Sequence, residues 1–233
     1  MKLAIMQPYF FPYIGYFQLM HAVDQFIVYD NIEFTKRGWI NRNRVLVNGA
    51  DAYITVSLKK DSDYLQVVDR YLAEIWPDER RSLLNRVTES YRKAPYFEQV
   101  FPFLKDSLHM EERNLFKFLF STLTAAKEYI GIATPLVVSS SVQIDQTLRA
   151  SEKVLALCKA RGAEVYMNPI GGVELYSKEQ FRRQGVDLVF LKSDNIHYTQ
   201  FSNEFVPFLS IIDVMMFNSK ETIKEFLNQY CLQ

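Results

Sequence analysis

The order of the first apolar segments constrains this fold more than any other feature of the sequence. Lys2 to Met6 is a short apolar run that ends at Gln7-Pro8, and apolar residues at helical spacing follow from about Tyr13 to Val23. A second apolar run, Gln25 to Tyr29, comes next. This order predicts a parallel βαβ unit, because a helical crossover is what allows two successive strands to run parallel.

The same alternation returns in the second half of the chain. Strands are predicted at Pro135–Ser139, Glu164–Met167 and Val186–Leu191, and helices at Leu148–Arg161, Ser177–Gln184, Pro207–Phe217 and Thr222–Tyr230. Earlier in the chain, Asn48-Gly49 separates two β-rich runs, Val45–Val47 and Tyr53–Leu58, and predicts a hairpin. Residues 64–130 instead carry apolar residues at helical spacing, punctuated by prolines. We therefore expect one mixed α/β domain over residues 1–233, with a mostly parallel central sheet, helices on both faces and a helical insertion or subdomain at 64–130.

Composition excludes several classes of protein. Lys and Arg number 27 and Asp and Glu number 27, so the net charge is zero, which argues against a nucleic-acid duplex as partner. The patterns GxGxxG, GxxxxGK and GxSxG do not occur. The two cysteines lie far apart and the three histidines have no ligand spacing, so we predict no metal site and no tightly bound cofactor.

The uncharged stretch from Leu3 to Val23 is long enough to resemble a membrane span. It contains Pro8, Pro12 and Gly15, however, and the prolines would break a helix early. Of the features of a secretory leader, only the positive charge of Lys2 is present. We expect a cytoplasmic protein without a membrane span.

The first candidate site is the aromatic segment MQPYFFPYIGYF, residues 6–17, which follows the first predicted strand. In an open α/β sheet, a loop at this place borders the usual ligand crevice. Tyr9, Tyr13 and Tyr16 offer flat faces and hydroxyls to a base or sugar, and Gln7 offers an amide. The alternative is that these side chains pack the sheet and its helix.

This segment also resembles the QPxHxGH loop of nucleotidylyltransferases, with Tyr13 and Tyr16 at the places of the two histidines. The resemblance implies a related fold. The missing histidines argue against adenylyl transfer.

The second candidate is the segment KRGWINRNR, residues 36–44, which carries four positive charges and no acid. A guanidinium binds phosphate or carboxylate with two hydrogen bonds, and Asn both donates to and accepts from sugar hydroxyls. The segment therefore predicts a diphosphate or carboxylate site, and the alternative is a solvated surface loop. Its candidate substrate-binding residues are Arg37, Trp39, Asn41, Arg42, Asn43 and Arg44.

Two further candidates lie in the second half. Asn168, Gly171 and Gly172 follow a predicted strand, where adjacent glycines let the backbone approach a ligand closely; the alternative is a tight turn. Asp213 lies in the middle of an apolar helical segment, where a carboxylate needs a partner and serves either a structural or a catalytic role.

Several segments together resemble one known family across nearly the whole chain and in the same order. They are MQPYFFPYIGYFQL, YD at 29–30, KRGWINRNR, YRKAPYFEQVFP, NPIGGVELY and NEFVPFLSIIDVMMFNS. The chain is identified by them as similar to the WbqC-like protein family, which is associated with bacterial O-antigen and surface-polysaccharide gene clusters. The resemblance implies a transferase that adds a glycyl or similar aminoacyl group to a nucleotide-linked amino sugar. The acyl donor stays open between a carrier-protein thioester, a coenzyme A thioester, an aminoacyl-tRNA and glycine with ATP.

Such a reaction needs a general base close to the attacking amine. Asp30, just past the second predicted strand, is the first candidate, and His197, after the last predicted strand, is the second. Arg37, Asn41 or Asn43 would donate hydrogen bonds to the oxyanion, and Arg42 or Arg44 would bind the diphosphate. Cys158 is disfavoured as a nucleophile because it lies in a predicted amphipathic helix. A protein that binds a sugar nucleotide or polysaccharide precursor without reacting is the alternative function.

Overall fold

A six-stranded sheet forms the centre of the protein, whose computed structural model describes residues 1–201 and 204–233. The strands are β1 (Lys2–Met6), β2 (Gln25–Val28), β3 (Arg42–Val47), β4 (Ala50–Thr55), β5 (Leu136–Val138), β6 (Val165–Pro169), β7 (Asp187–Ser193) and β8 (Tyr230–Leu232). The helices are α1 (Ile14–His21), α2 (Trp76–Tyr91), α3 (Phe97–Leu108), α4 (Leu115–Tyr129), α5 (Ala150–Ala160), α6 (Lys178–Arg183), α7 (Ile211–Phe217) and α8 (Lys220–Phe226).

The strand order in the sheet is β5-β2-β1-β6-β7-β8. Strands β5, β2, β1, β6 and β7 run parallel, and β8 is antiparallel to β7 at the edge. Strands β3 and β4 form a separate antiparallel hairpin. The predicted mixed α/β fold with a mostly parallel central sheet is confirmed.

The two faces of the sheet bury different helices. Side chains alternate along β1, so Ala4 packs on one face while Leu3 and Ile5 pack on the other. The Ala4 face belongs to one hydrophobic cluster with α1, α2 to α4, α7 and α8. The opposite face is covered by α5 and α6. Helices therefore lie on both faces, as predicted.

The hairpin forms at the predicted turn. Asn48 and Gly49 have φ angles of 52° and 80°, the backbone that a tight two-residue turn requires. Strand β3 begins at Arg42, however, three residues before the predicted start, so part of the segment expected to be irregular is a strand. At its start the buried Asn43 lies between the half-buried Arg42 and Arg44, a pattern that apolar alternation alone does not reveal.

Other boundaries also differ from the prediction; strand β4, for example, begins at Ala50 rather than at Tyr53. Within residues 64–130, the first α-helix begins only at Trp76, with Pro77 in its first turn, where proline is tolerated. The helix predicted from Pro207 begins at Ile211, because the Ser210 hydroxyl accepts from the Ile212 amide and caps it. The last helix ends at Phe226 rather than at residue 230, and β8 follows it. The division into one domain with an insertion stays a prediction. In the part of the chain that the structure describes, no helix is both long and apolar enough to cross a membrane.

Candidate functional site

A cleft of about 500 Å³ lies between the carboxyl ends of β1 and β6, the two central strands of the sheet. After β1 the chain crosses to β2 through α1, on the Ala4 face; after β6 it crosses to β7 through α6, on the opposite face. Connections that leave neighbouring strands in opposite directions open a crevice, where open α/β sheets bind ligands. We call this the central cleft, and it is lined by Gln7, Tyr9, Tyr13, Tyr16, Trp39, Asn168, Gly171 and Gly172 among others.

The aromatic segment after β1 serves both as core and as lining. Phe10 and Phe11 are buried in the core, while Tyr9 and Tyr13 are half-buried and line the cleft. Tyr16 is nearly fully buried, and its hydroxyl donates to the Gln7 carbonyl at 2.9 Å. The packing interpretation therefore holds for Phe10, Phe11 and Tyr16, whereas ligand binding by Tyr9 and Tyr13 stays a prediction.

Gly15 makes room for the ring of Tyr13. A Cβ at position 15 would lie 2.4 Å from atoms at the outer end of that ring. Tyr13 thus folds over the first turn of α1, where its ring borders the cleft. Any larger residue at position 15 would push the ring away.

The second wall of the cleft has a similar dependence on glycine. A Cβ at Gly172 would lie 1.9 Å from Nδ2 of Asn168, so the glycine is what allows that amide its position. The Tyr166 hydroxyl donates to Oδ1 of Asn168 at 3.1 Å and fixes its orientation. At Gly171, by contrast, an added Cβ would meet no protein atom within 4 Å.

The phenols around the cleft remain neutral donors. Burial raises the pKa of Tyr9, Tyr13 and Tyr16, and it does the same for Tyr29 and Tyr176 at the far end of the cleft. Their hydroxyls therefore stay protonated at neutral pH, where they donate hydrogen bonds and do not act as bases.

The basic segment approaches the cleft mainly through Trp39, whose carbonyl accepts from the Phe10 amide. Arg44 is paired with Asp51 at 2.9 Å, and its guanidinium stacks over the Trp39 ring. Arg42 donates to the carbonyls of Gly38 and Arg37, and stacks over Tyr53.

The side-chain amides of this segment donate to backbone carbonyls of the protein itself. Asn43 is buried and its Nδ2 donates to the carbonyls of Phe10 and Phe11, both at 3.0 Å. Asn41 donates to the Val56 carbonyl at 2.9 Å.

Trp39, Asn43 and Arg44 also line a smaller cavity of about 270 Å³ that shares Tyr9 and Tyr13 with the central cleft. Arg37 is exposed and, like Asn41 and Arg42, lines neither the central cleft nor this smaller cavity.

The two candidate bases occupy different surroundings. Asp30 is 3% exposed, and its Oδ1 accepts from the Ser139 hydroxyl at 2.7 Å and from the Ser140 amide at 3.0 Å. These bonds join the ends of β2 and β5, which is a structural role. His197 is exposed and lines a cavity of about 340 Å³ that shares Tyr13 with the central cleft. Of the two candidates for the general base, His197 is accessible to a ligand and Asp30 is buried.

Two other groups considered from the sequence are buried. Cys158 is fully buried in α5, and burial raises the pKa of its thiol to about 12, so it is a poor nucleophile at neutral pH. Asp213 accepts hydrogen bonds from the hydroxyls of Tyr91 and Tyr198 and from Nε2 of Gln200, each at 2.7 Å.

Sequence reasoning missed one part of the site. Lys153 and Arg149 line a cavity of about 470 Å³ that shares Tyr29 and Tyr176 with the central cleft. The available signal was the position of Lys153 on α5, because the lysine lies one turn before Leu157, on the buried face of that helix.

Comparisons with known proteins agree with the resemblance in sequence. The sequence profile described as the WbqC-like protein family matches residues 7–225. An uncharacterized protein of Mycobacterium tuberculosis (strain ATCC 25618 / H37Rv), Rv1507c, is 28% identical over 235 residues, which cover 100% of this chain and 99% of the relative. No solved structure matches, so the suggested relation to nucleotidylyltransferases stays a prediction.

Proposed function

This chain belongs to the WbqC-like protein family, and from that premise we propose that it transfers a glycyl or similar aminoacyl group to the amine of a nucleotide-linked amino sugar in surface-polysaccharide assembly. The observation that carries the proposal is the central cleft at the switch point of the sheet, lined by phenols, amides and a Gly-Gly backbone. Aromatic rings stack on a base or sugar, while hydroxyls and amides pair with sugar hydroxyls.

Exposed apolar side chains around the cleft support binding of a ligand with flat or apolar faces. Trp39 and Leu175 line the central cleft, and Tyr64 and Phe208 line the neighbouring cavities, yet each is among the most exposed large apolar residues of the described chain. A ligand that covers such side chains removes apolar surface from water, which favours binding. Clusters of exposed apolar side chains are typical of binding grooves.

The proposed reaction forms one amide bond. The sugar amine attacks the carbonyl carbon of the activated aminoacyl group, and the carbon–nitrogen bond forms as the bond from that carbon to the donor's sulfur or oxygen breaks. The amine loses a proton to a base, and the departing thiolate or alkoxide takes one up. With glycine and ATP, glycyl adenylate first forms with release of pyrophosphate, and AMP is then the group that leaves. The protonated phenols of Tyr9 and Tyr13 are suited to donate to the oxyanion formed on the way.

We propose His197 as the general base, in preference to Asp30. His197 is exposed and borders a cavity that adjoins the central cleft through Tyr13. The Asp30 carboxylate is buried and already accepts two hydrogen bonds. An imidazole nitrogen can accept a proton from an amine, as a general base must.

A second candidate function is binding of a sugar nucleotide or precursor without reaction. It is favoured by the lining of the central cleft, because none of the described residues there carries a carboxylate or an imidazole. Neutral donors and acceptors suit the hydroxyls of a sugar, but none of these groups acts as a general base at neutral pH.

Product analysis by mass spectrometry separates the two functions. Purified protein is incubated with a panel of nucleotide-linked amino sugars and with each of the four donor classes, and we expect an aminoacylated sugar nucleotide from one pairing. His197→Ala should then lower kcat roughly 100- to 10,000-fold, whereas Asp30→Asn should act through stability. Binding of a sugar nucleotide without product from any donor would support the binding protein, and absence of any binding would contradict both functions.

A further inference from the structure

The cavity of about 470 Å³ beside the central cleft is lined by a buried cation, Lys153. The Lys153 side chain is on α5 and the residue is only 4% exposed. Its Nζ donates to Asn31, to the carbonyl at 3.3 Å and to Oδ1 at 2.9 Å, and it stands 5.6 Å from the centre of the Tyr29 ring. An ammonium has three donors, so two neutral oxygens leave one N–H for another acceptor.

This cation has no close counter-charge among the described residues, since Lys153 takes part in none of the ion pairs there. Asp30 acts on it only at longer range, and its Oδ1 is bonded to Ser139 and Ser140. Burial, and then the charge of Arg149, lower the pKa of Lys153. Burying a cation without an anion is costly, so an anion bound in this cavity would stabilise Lys153.

A second cation lies beside the first. Arg149 precedes the first turn of α5 and lines the same cavity as Lys153. Its Nη1 donates to the carbonyls of Gln146 and Leu148, which fixes the guanidinium at the cavity wall. One carboxylate, that of the exposed Glu33, also lines the cavity, so its lining carries two cations and one anion.

The cavity and the central cleft share Tyr29, Ile32 and Tyr176, so a single ligand can extend from one into the other. We propose that Lys153 and Arg149 bind the diphosphate of a nucleotide-linked ligand whose sugar lies in the central cleft. The identity of the sugar rests on the proposed function, but binding of the diphosphate does not. Arg44 and Arg42 are the alternative that the sequence suggests. Arg44 is already paired with Asp51, and neither arginine lines the central cleft or the cavity that holds Lys153.

The inference is tested by calorimetry at constant ionic strength, with inorganic pyrophosphate, UDP and uridine as probes. We expect pyrophosphate and UDP to bind, and Lys153→Met and Arg149→Gln each to weaken both about 10- to 100-fold, as loss of a charge-assisted hydrogen bond does. Lys159→Met is the matched control, because Lys159 is an exposed lysine of the same helix. The control and Arg44→Gln should leave pyrophosphate binding within about threefold of wild type.

Wild-type protein that binds neither pyrophosphate nor UDP would overturn the inference, as would Lys153→Met and Arg149→Gln variants that bind them like wild type. Arg149 is exposed, so its variant tests the site even where Lys153→Met fails to fold. The proposed function fails separately. Pyrophosphate binding that depends on Lys153, without any aminoacylated product, would leave the anion site standing, whereas product formed by Lys153→Met with unchanged KM would refute the anion site alone.

Discussion

At the scale of single residues, two neighbouring glycines in the wall of the cleft have opposite surroundings. Gly172 is buried against the Asn168 amide, whereas Gly171 is exposed and faces no protein atom within 4 Å of an added Cβ. Substitution by alanine at position 172 therefore tests the placement of the Asn168 amide, and the same substitution at position 171 does not disturb it.

Gly172→Ala should displace the Asn168 amide and break its hydrogen bond with Tyr166. We expect a loss of roughly 1–3 kcal/mol of unfolding free energy, because the buried Tyr166 hydroxyl loses its acceptor, together with weaker binding of any sugar ligand. Gly171→Ala is the matched control, with stability within about 0.5 kcal/mol of wild type. Urea denaturation measures both, and equal stability of the two variants would show that the Asn168 amide is not held as described.

At this scale the sequence predicts the residues of the cleft better than it predicts their roles. Tyr9, Tyr13 and Asn168 follow β1 and β6, and the rule that ligands bind where parallel strands end is enough to select them. The role of Asp30 was not predictable, because its partners Ser139 and Ser140 lie more than a hundred residues away. Lys153 was missed because a lysine in a helix is usually solvated, and burial is decided by the packing of the whole sheet.

At the scale of elements, the hairpin supports the aromatic loop through one amide. Asn43 of β3 donates to the carbonyls of Phe10 and Phe11, and Phe11 has a φ of 41°, which is unusual for a bulky residue. The two bonds hold the loop in a conformation that it would not favour by itself.

Asn43→Ala should accordingly destabilise the protein by about 2–4 kcal/mol, since two buried carbonyls lose their donor. Asn41→Ala, a half-buried residue with one hydrogen bond to Val56, should cost only about 1 kcal/mol. Thermal and urea unfolding measure the difference. If Asn43→Ala kept full stability and lost only ligand binding, Asn43 would be a substrate-binding residue, as the sequence suggests.

The elements with strong local signals are the ones that sequence predicts. The hairpin follows from Asn48-Gly49, because both residues readily adopt the positive φ angles of a two-residue hairpin turn. Strand β8 has three residues, is mostly exposed and lies at the edge of the sheet, so neither apolar alternation nor burial marks it. Its pairing with β7 is long-range and leaves no trace in the local sequence.

At the scale of the whole molecule, Asp213 links segments from distant parts of the chain. Tyr91 of α2 donates to this carboxylate and accepts from the Leu46 amide of β3, while Tyr198 and Gln200 donate to it from the segment before α7. Burial raises the pKa of Asp213, and the three hydrogen bonds oppose that rise only in part.

The raised pKa makes the stability that Asp213 contributes dependent on pH. Below its unfolded pKa of about 4 the group is protonated in both states, and above it the unfolded state releases the proton first, so stability falls as pH rises towards the folded pKa. The unfolding free energy of wild type relative to Asp213→Asn should therefore decline as the pH is raised above about 4. A difference that stays constant from pH 4 to pH 8, measured by urea denaturation, would contradict this.

The order of the strands was beyond prediction at this scale. The βα alternation predicts a parallel sheet, but placing β1 in the centre depends on β6 pairing beside it, a contact between Leu3 and Tyr166. Right-handed crossovers allow either side of β1 for the second βαβ unit. The position of the central cleft follows from that choice.

The central place of β1 also has a consequence for how the protein is made. Its first neighbour, β2, is complete at Val28, but its second neighbour, β6, begins only at Val165. At about 5–20 residues per second, translation takes roughly 7 to 30 s to cover that interval. Throughout it the nascent chain carries an apolar strand with one open edge, which invites pairing with other chains.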